Sequence, residues 1–195
     1  MRVIAGKYRS RTLRSLRGMD IRPTSDRLRE TLFNVLTAGN PGALEGSVWL
    51  DLFAGTGAVG IEALSRGAKN VYFVESSAAA ADVIRGNLKS LDIVSGFQLL
   101  REELPRAVGR MEREHVAADV VFIDPPYRMK HAYRETLQAL VESSVVWAMS
   151  ILIAEHEKNF DPGEEFGSLR RFRKLVQGNT GLSFYRMGSA TDQRG

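Results

Sequence analysis

Asp124-Pro125-Pro126-Tyr127 follows the apolar run Val120-Val121-Phe122-Ile123. An ionised carboxylate only accepts hydrogen bonds, and the backbone carbonyl near Pro125 offers a second acceptor. Neither proline has an N–H, and both have φ fixed, so the turn is a rigid frame of acceptors. Such a frame suits a donor carrying two N–H bonds, the exocyclic amino group of a nucleobase. That amine is a poor nucleophile because its lone pair is delocalised into the ring. Accepting both N–H bonds on Asp124 and the carbonyl pulls the nitrogen towards a pyramidal geometry and aims the lone pair at an electrophile. Tyr127 can stack on a base taken out of its helix, at about 1–3 kcal/mol per stacked base. The structural alternative is a loop in which Asp124 caps a helix and the prolines only stiffen a turn.

A second constellation lies upstream. Val48–Phe53 reads as a strand, Ala54-Gly55-Thr56-Gly57 as a tight loop, and Ala58-Val59-Gly60 as a helix start. Gly55, Gly57 and Gly60 match the G-x-G-x-x-G spacing, in which the backbone turns sharply and lies against a ligand. Glu75 ends the next strand, where an acid can hold both ribose hydroxyls. A nicotinamide dinucleotide would fit this much. Asp51, four residues before Gly55, argues against a pyrophosphate and for the cationic sulfonium and α-amino group of S-adenosylmethionine (SAM). The alternative is a turn that binds nothing, with Asp51 as a helix-capping group. Glu102, flanked by Arg101 and Glu103 after the third strand, can accept from an adenine amino group, or simply open a helix as a surface acid.

The elements that must position these residues alternate. Strand candidates are Val48–Phe53, Val71–Glu75, Phe97–Leu100, Val120–Asp124, Ile151–Glu155, Phe172–Val176 and Leu182–Arg186. Helices fit at Val59–Arg66, Ala78–Leu91, Leu104–Arg113 and Tyr133–Val141. Nearly all-apolar strands alternating with helices predict a doubly wound, Rossmann-like parallel α/β sheet covered on both faces. The last two candidates, separated only by Gln177–Gly181, must form an antiparallel C-terminal hairpin. Trp49, Phe53, Phe73 and Phe122 lie on strands and read as core.

Before this sheet, Val3–Gly6 and Arg9–Leu13 read as short strands of a basic hairpin. Arg22-Pro23-Thr24 is extended, and Thr24 or Ser25 can cap a helix through Leu36. The glycine- and proline-rich stretch 37–46 is the expected boundary, giving an N-terminal extension over residues 1–40 and a main domain over 41–195. Arg27, Arg29 and Glu30 read as a salt-bridged helix face.

Composition bounds the possibilities. The chain has 195 residues, 27 Lys+Arg, 23 Asp+Glu and no cysteine. No disulfide, thiol nucleophile or Cys-ligated metal is possible, and His115, His131 and His156 show no ligand spacing, so no metal is expected. No run approaches the roughly 18 apolar residues of a membrane span, and the N-terminus lacks a signal sequence, which predicts a cytoplasmic protein. Residues 1–30 hold nine basic residues against Asp20, Asp26 and Glu30, whereas the remainder holds 18 basic and 20 acidic. The positive excess therefore sits in the first 30 positions, as on a surface that faces a polyanion, or as a plain solvated face. Tyr8, among these cations, can stack on RNA or pack the hairpin. Arg128, Lys130 and Arg134 are placed for phosphate contacts, which fix register without reading sequence.

At these residues the chain resembles the RsmD-type methyltransferases, which modify guanine N2 in bacterial small-subunit ribosomal RNA. The likeness runs from Arg2 to about Arg186. It rests on Arg2–Gly6, Arg22–Asn34, Asp51–Gly60, Glu62–Ala68, Asp124–Tyr127 and Gly178–Tyr185. Asp-Pro-Pro-Tyr is shared with many amino-methyltransferases; the Arg22–Asn34 block is the specific one. The resemblance implies a class I methyltransferase fold of seven strands with an RNA-contacting N-terminal extension. SAM would be converted to S-adenosylhomocysteine (SAH), and the partner would be 16S RNA or a small-subunit assembly intermediate, met by a monomer. Catalytic candidates are Asp124, Pro125, Pro126 and Tyr127. Cofactor candidates are Asp51, Phe53, Ala54, Gly55, Thr56, Gly57, Glu75, Ser76, Glu102 and Asp124. RNA candidates are Arg2, Lys7, Arg9, Arg11, Arg22, Arg27, Arg128 and Lys130, and Thr24, Asp26 and Glu30 would line the cleft edge. Two positions depart from the family: Glu102 stands where Asp or Asn is usual, and Ser76 and Ser77 where an acid is frequent. An adenine-N6 DNA methyltransferase and a non-catalytic RNA-binding protein stabilised by SAM are the competing readings.

Overall fold

Ser25 caps the first helix: its side chain accepts the Leu28 N–H at 3.2 Å, and α1 runs Asp26–Leu36. The computed structural model describes residues 1–15 and 24–188; Arg22 and Pro23 of the expected extended entry lie outside the described residues. The chain divides into two compact units, Met1–Leu104 and the part from Pro105 onward.

In the first unit, β1 (Val48–Leu52), α2 (Ala58–Ser65), β2 (Asn70–Val74), α3 (Ala78–Ser90) and β3 (Phe97–Leu100) follow α1. The strands lie parallel in the order β3-β2-β1, with Val48 opposite Asn70 and Val71 opposite Phe97. Trp49, Leu50, Leu52, Val71 and Phe73 are buried, as the continuous apolar strands require. Phe33 of α1 stacks on Trp49 with ring centroids 5.3 Å apart, a pair worth about 0.5–1.5 kcal/mol beyond its area. Gly60 is where α2 meets the sheet: a Cβ there would stand 2.4 Å from Phe73 Cε1.

The N-terminal strands are shorter than expected. A single bridge joins Arg2 to Thr12, and the pairing runs between Met1–Val3 and Ser10–Leu13. Ile4 and Ala5 leave it because the buried Glu62 carboxylate accepts their N–H groups at 2.7 and 3.0 Å. Lys7 and Tyr8 then donate to the Ser65 carbonyl and hydroxyl at 2.7 and 2.9 Å. A Cβ on Gly6 would fall 1.8 Å from the Ser65 carbonyl oxygen, so only glycine lets the arm lie this close to α2.

Arg29 also differs from its reading as a surface residue. It is fully buried, and its Nη2 donates to Asp26 Oδ1 at 2.7 Å and to the Arg2 carbonyl at 2.5 Å. It staples α1 to the arm.

The second unit holds α4 (Leu104–Arg113, begun at the last residue of the first unit), β4 (Ala118–Ile123), α5 (Lys130–Glu142), β5 (Val146–Glu157), β6 (Glu165–Phe166), β7 (Leu169–Gln177) and β8 (Thr180–Met187). Its strand order is β4-β5-β8-β7-β6, with β4 and β5 parallel and the others antiparallel. The described residues thus form eight strands, where seven were expected. The extra one, β6, pairs only with Leu169 and Arg170, too short for any periodicity to show. The β7–β8 hairpin closes on Gly178-Asn179, with Gly178 at φ +61°. Most of β7 is an outer strand carrying Arg171, Arg173 and Lys174. Arg171 pairs with Asp161 and Glu164, and Lys174 with Asp161.

Candidate functional site

In the first unit, the chain leaves β1 through Phe53, a non-glycine residue at φ +61°, a conformation that costs of order 1–3 kcal/mol. Gly55 and Gly57 follow at φ +56° and +74°, and Gly57 starts α2. Side-chain acceptors hold the loop. Glu75 takes the Gly55 N–H on Oε2 at 2.9 Å and the Ser77 N–H on Oε1 at 2.8 Å. Asp51 is 2% exposed, and its Oδ2 accepts the Gly60 N–H at 2.8 Å, in the first turn of α2. Burial, opposed by that hydrogen bond and reinforced by the Glu75 charge, pushes the Asp51 carboxyl up to about 8. Asp51 therefore takes the capping position behind the loop that was its structural alternative.

Beside the loop, the ends of all three strands of this unit border a shallow open cleft lined by Phe53, Val74, Glu75, Ser76, Glu102, Glu103 and Leu104. Four cofactor candidates from three separate segments meet here: Phe53, Glu75, Ser76 and Glu102. Phe53 is half-buried and lines the cleft, so it is not a core residue like Trp49, Phe73 and Phe122. Ala54, Gly55, Thr56 and Gly57 form the loop next to it. Apolar side chains with carboxylates at the rim suit an aromatic heterocycle bearing amino and hydroxyl donors, and suit a polyphosphate badly. The residues present thus fit the adenosine part of SAM.

In the second unit, β4 is buried except at Asp119 and delivers Asp124 just past its carboxyl end. Asp124 and Tyr127 are half-buried, Pro125 is buried and Pro126 exposed. The Pro126 carbonyl accepts the Met129 N–H at 2.7 Å, closing the turn one residue before α5. Behind it, the buried Tyr133 donates its hydroxyl to the Glu155 carbonyl at 2.7 Å and packs its ring 5.1 Å from Phe160. Burial first, and the Asp124 charge next, hold this phenol above the usual tyrosine range.

The cationic candidates divide. Lys7, Arg9 and Arg27 are exposed, with the Lys7 ammonium over the Tyr8 ring. Arg2 is exposed with Asp26 Oδ2 3.9 Å from its Nε, and Arg11 is tied to the Ser90 carbonyl at 2.6 Å. Arg128 is exposed, whereas Lys130 reaches Glu157 at 3.9 Å and the face of Phe160 at 5.5 Å. Arg22 lies outside the described residues. Of the proposed cleft-edge residues, Thr24 is buried, Asp26 is engaged by Arg29, and Arg27 and Glu30 are exposed.

Two residues that shape the loop's surroundings escaped the sequence reading. Glu62 is the lone charged residue in the apolar helix Ala58–Ser65, a signal that was available. Asn87 lies on the buried side of α3 with Ile84 and Leu88, and a polar residue on an apolar face is the hint it gave. Among the described residues, no group of three or more His, Asp and Glu could hold a metal ion, and no helix is long and apolar enough to cross a membrane.

The family model described as Conserved hypothetical protein 95 matches residues 1–186. YlbH of Bacillus subtilis (strain 168) is 33% identical over 186 residues, covering 95% of this chain and 98% of that protein. Ribosomal RNA small subunit methyltransferase D of Haemophilus influenzae is 32% identical over 187 residues, covering 96% and 92%. Among solved structures, yhhF of Escherichia coli superposes with a TM-score of 0.80 at 27% identity, over 97% of this chain and 98% of that one. SMU.776, solved in complex with SAH, shares the fold at a TM-score of 0.67 and 15% identity, over 86% of this chain and 50% of that one.

Proposed function

Since the chain belongs to the family of RsmD-type methyltransferases, with their class I methyltransferase fold, we propose that it methylates the exocyclic N2 of a guanine in 16S ribosomal RNA. The donor in this reading is SAM, and the substrate is the RNA itself or a small-subunit assembly intermediate, met in the cytoplasm by a monomer. The observation that carries the reading is Asp124-Pro125-Pro126-Tyr127 at the end of β4 in a chain whose relative is named for small-subunit RNA.

The first unit would hold the cofactor. Phe53 and Leu104 flank the adenine, Glu75 accepts from the ribose hydroxyls while retaining Gly55 and Ser77, and Glu102 accepts from the adenine amino group. Asp51 acts through the loop, fixing the first turn of α2. When bound, the cofactor supplies a methyl group on a sulfonium, an electrophilic carbon.

The second unit would hold the amine. Asp124 and the backbone at Pro125 accept the two N–H bonds and orient the nitrogen lone pair. As positive charge develops on that nitrogen, the Asp124 carboxylate stabilises it and can take the proton. Tyr127 stacks on the extruded base, and Tyr133 buttresses the turn by pinning the end of β5. Arg2, Lys7, Arg9, Arg11, Arg22 and Arg27, with Arg128 and Lys130, contact phosphates.

The test is incubation with methyl-labelled SAM and small subunits or 16S RNA from cells lacking the enzyme, followed by mass spectrometry of the nucleosides. N2-methylguanine in 16S RNA is the expected product. N6-methyladenine would overturn the guanine assignment, and RNA binding without methyl incorporation would overturn the enzyme reading.

A further inference from the structure

Asn87 is fully buried on α3, yet three hydrogen bonds saturate its donors. Its Oδ1 accepts the Arg14 N–H at 2.7 Å, and its Nδ2 donates to the Arg14 carbonyl at 3.1 Å and to the Thr56 carbonyl at 2.9 Å. A primary amide has two N–H donors, and here both face carbonyls, so its orientation is fixed. The paired bonds to Arg14 imitate one rung of a sheet. The third bond reaches the middle of the glycine loop, between Gly55 and Gly57. One side chain therefore ties the end of the basic arm to the loop.

Neighbouring contacts run the same way. Arg11 donates to the Ser90 carbonyl at the end of α3, and the Met1 sulfur lies 4.0 Å from the Thr56 hydroxyl. Glu62 and Ser65 hold the arm's other side on α2, the helix that Gly57 begins. The cationic groups of Lys7 and Arg9 stay exposed.

We propose that Asn87 is a positioning residue that couples the cofactor loop to the RNA-facing arm, so that occupancy of either favours binding at the other. This rests on the reading above that the loop holds SAM and the arm contacts RNA. A ligand that immobilises Thr56 removes part of the ordering cost of docking Arg14 through the shared amide. By linkage, RNA that immobilises the arm tightens the loop's ligand by the same factor.

The experiment measures the dissociation constant of SAH by calorimetry on the full chain, with and without a 16S RNA transcript. The wild type should bind SAH about 5-fold or more tightly in the presence of RNA, at the lower end of common coupling factors. Arg14→Pro deletes the N–H given to Asn87, whereas Arg14→Ala loses the same side chain and retains that N–H. Arg14→Ala should keep the coupling; Arg14→Pro and Asn87→Ala should reduce the factor to about one, whatever their SAH affinity in the absence of RNA. A merely structural role would lower both affinities and leave their ratio alone. Equal coupling in Arg14→Pro and Arg14→Ala, or none in the wild type, would overturn the inference. Unchanged RNA affinity in a Lys7→Ala/Arg9→Ala double variant would instead overturn the RNA-facing reading beneath it.

Discussion

The loop after β1 contains Gly55 and Gly57, both in the left-handed region, while the turn after β4 contains Pro125 and Pro126. Each follows a buried parallel strand, but they are ordered by opposite means. Glycine gives the first loop freedom, and side chains from other elements remove it again: Glu75 on Gly55, Asn87 on Thr56, Asp51 on Gly60. The second turn has order built into the pyrrolidine rings, and the Met129 N–H on the Pro126 carbonyl closes it. A surface that adapts to a cofactor can be held by bonds that exchange partners. A frame that must aim a lone pair is better made of covalent constraints.

The sharpest way to separate the two regions is Asp124→Ala. Turnover should fall by at least about 10³-fold, in the range for loss of a group that stabilises developing charge. SAH affinity should stay within a few-fold, because the loop keeps all its own bonds. Retained methylation in a discontinuous assay would remove Asp124 from the chemistry.

Glu75→Gln probes the opposite region. The amide presents an NH2 to one of the two N–H groups that Glu75 now accepts, so one charge-assisted bond is lost, worth about 1.5–3 kcal/mol. SAH should bind roughly 10- to 100-fold more weakly by calorimetry. An unchanged affinity would mean that the loop does not depend on this carboxylate.

Asp51 gives the loop a pH dependence. Its folded-state pKa is raised to about 8 from an ordinary value of 3.8, so between these limits the folded state binds more protons than the unfolded one. The stability it contributes is therefore full below about pH 4, declines as pH rises and levels off above about 8. His156, buried with its pKa lowered by burial, acts in the opposite direction below neutrality. Urea midpoints of the wild type relative to Asp51→Asn isolate the Asp51 part: the wild type should lose ground steadily from pH 5 to 8. A constant difference across that range would contradict an elevated pKa.

The smallest effect belongs to Pro126→Ala. Pro126 is exposed, and its ring acts by limiting the unfolded chain, so about 0.4–1 kcal/mol of stability should be lost with little change in SAH affinity. A shift in thermal midpoint as large as that of a core truncation would mean the turn is held by packing instead.

Much of this was readable in the residues themselves. The Asp51–Gly60 segment and the Val120–Tyr127 segment each combine a β-period apolar run with residues that can only turn, and both landed where expected. Glu75 and Glu102 could be placed because one directly follows β2 and the other lies two residues past β3. Arg29 was missed although helical spacing carries the signal: it lies three and four residues before Leu32 and Phe33, on the side α1 buries and opposite Arg27. Val3–Gly6 failed as a strand because the partner for Ile4 and Ala5 is Glu62, 58 and 57 positions away. The upstream part of β5, Val146–Ser150, breaks alternation, with Trp147 and Met149 exposed, so its pairing leaves no periodic trace. Phe53 reads both as strand core and as a cofactor candidate; the left-handed φ that separates the two readings leaves no trace in its residue type.

The outer strand β7 has a consequence for the protein in concentrated solution. Past Arg171, whose N–H is taken by the Glu164 carbonyl at 2.8 Å, its outer edge is unpaired by β6, a stretch that could template a strand from another molecule. Arg171 and Lys174 are matched by Asp161 and Glu164, so the exposed Arg173 is the cation that two copies approaching edge to edge set against each other. Salt near 1 M, where charges are screened within about 3 Å, weakens this protection.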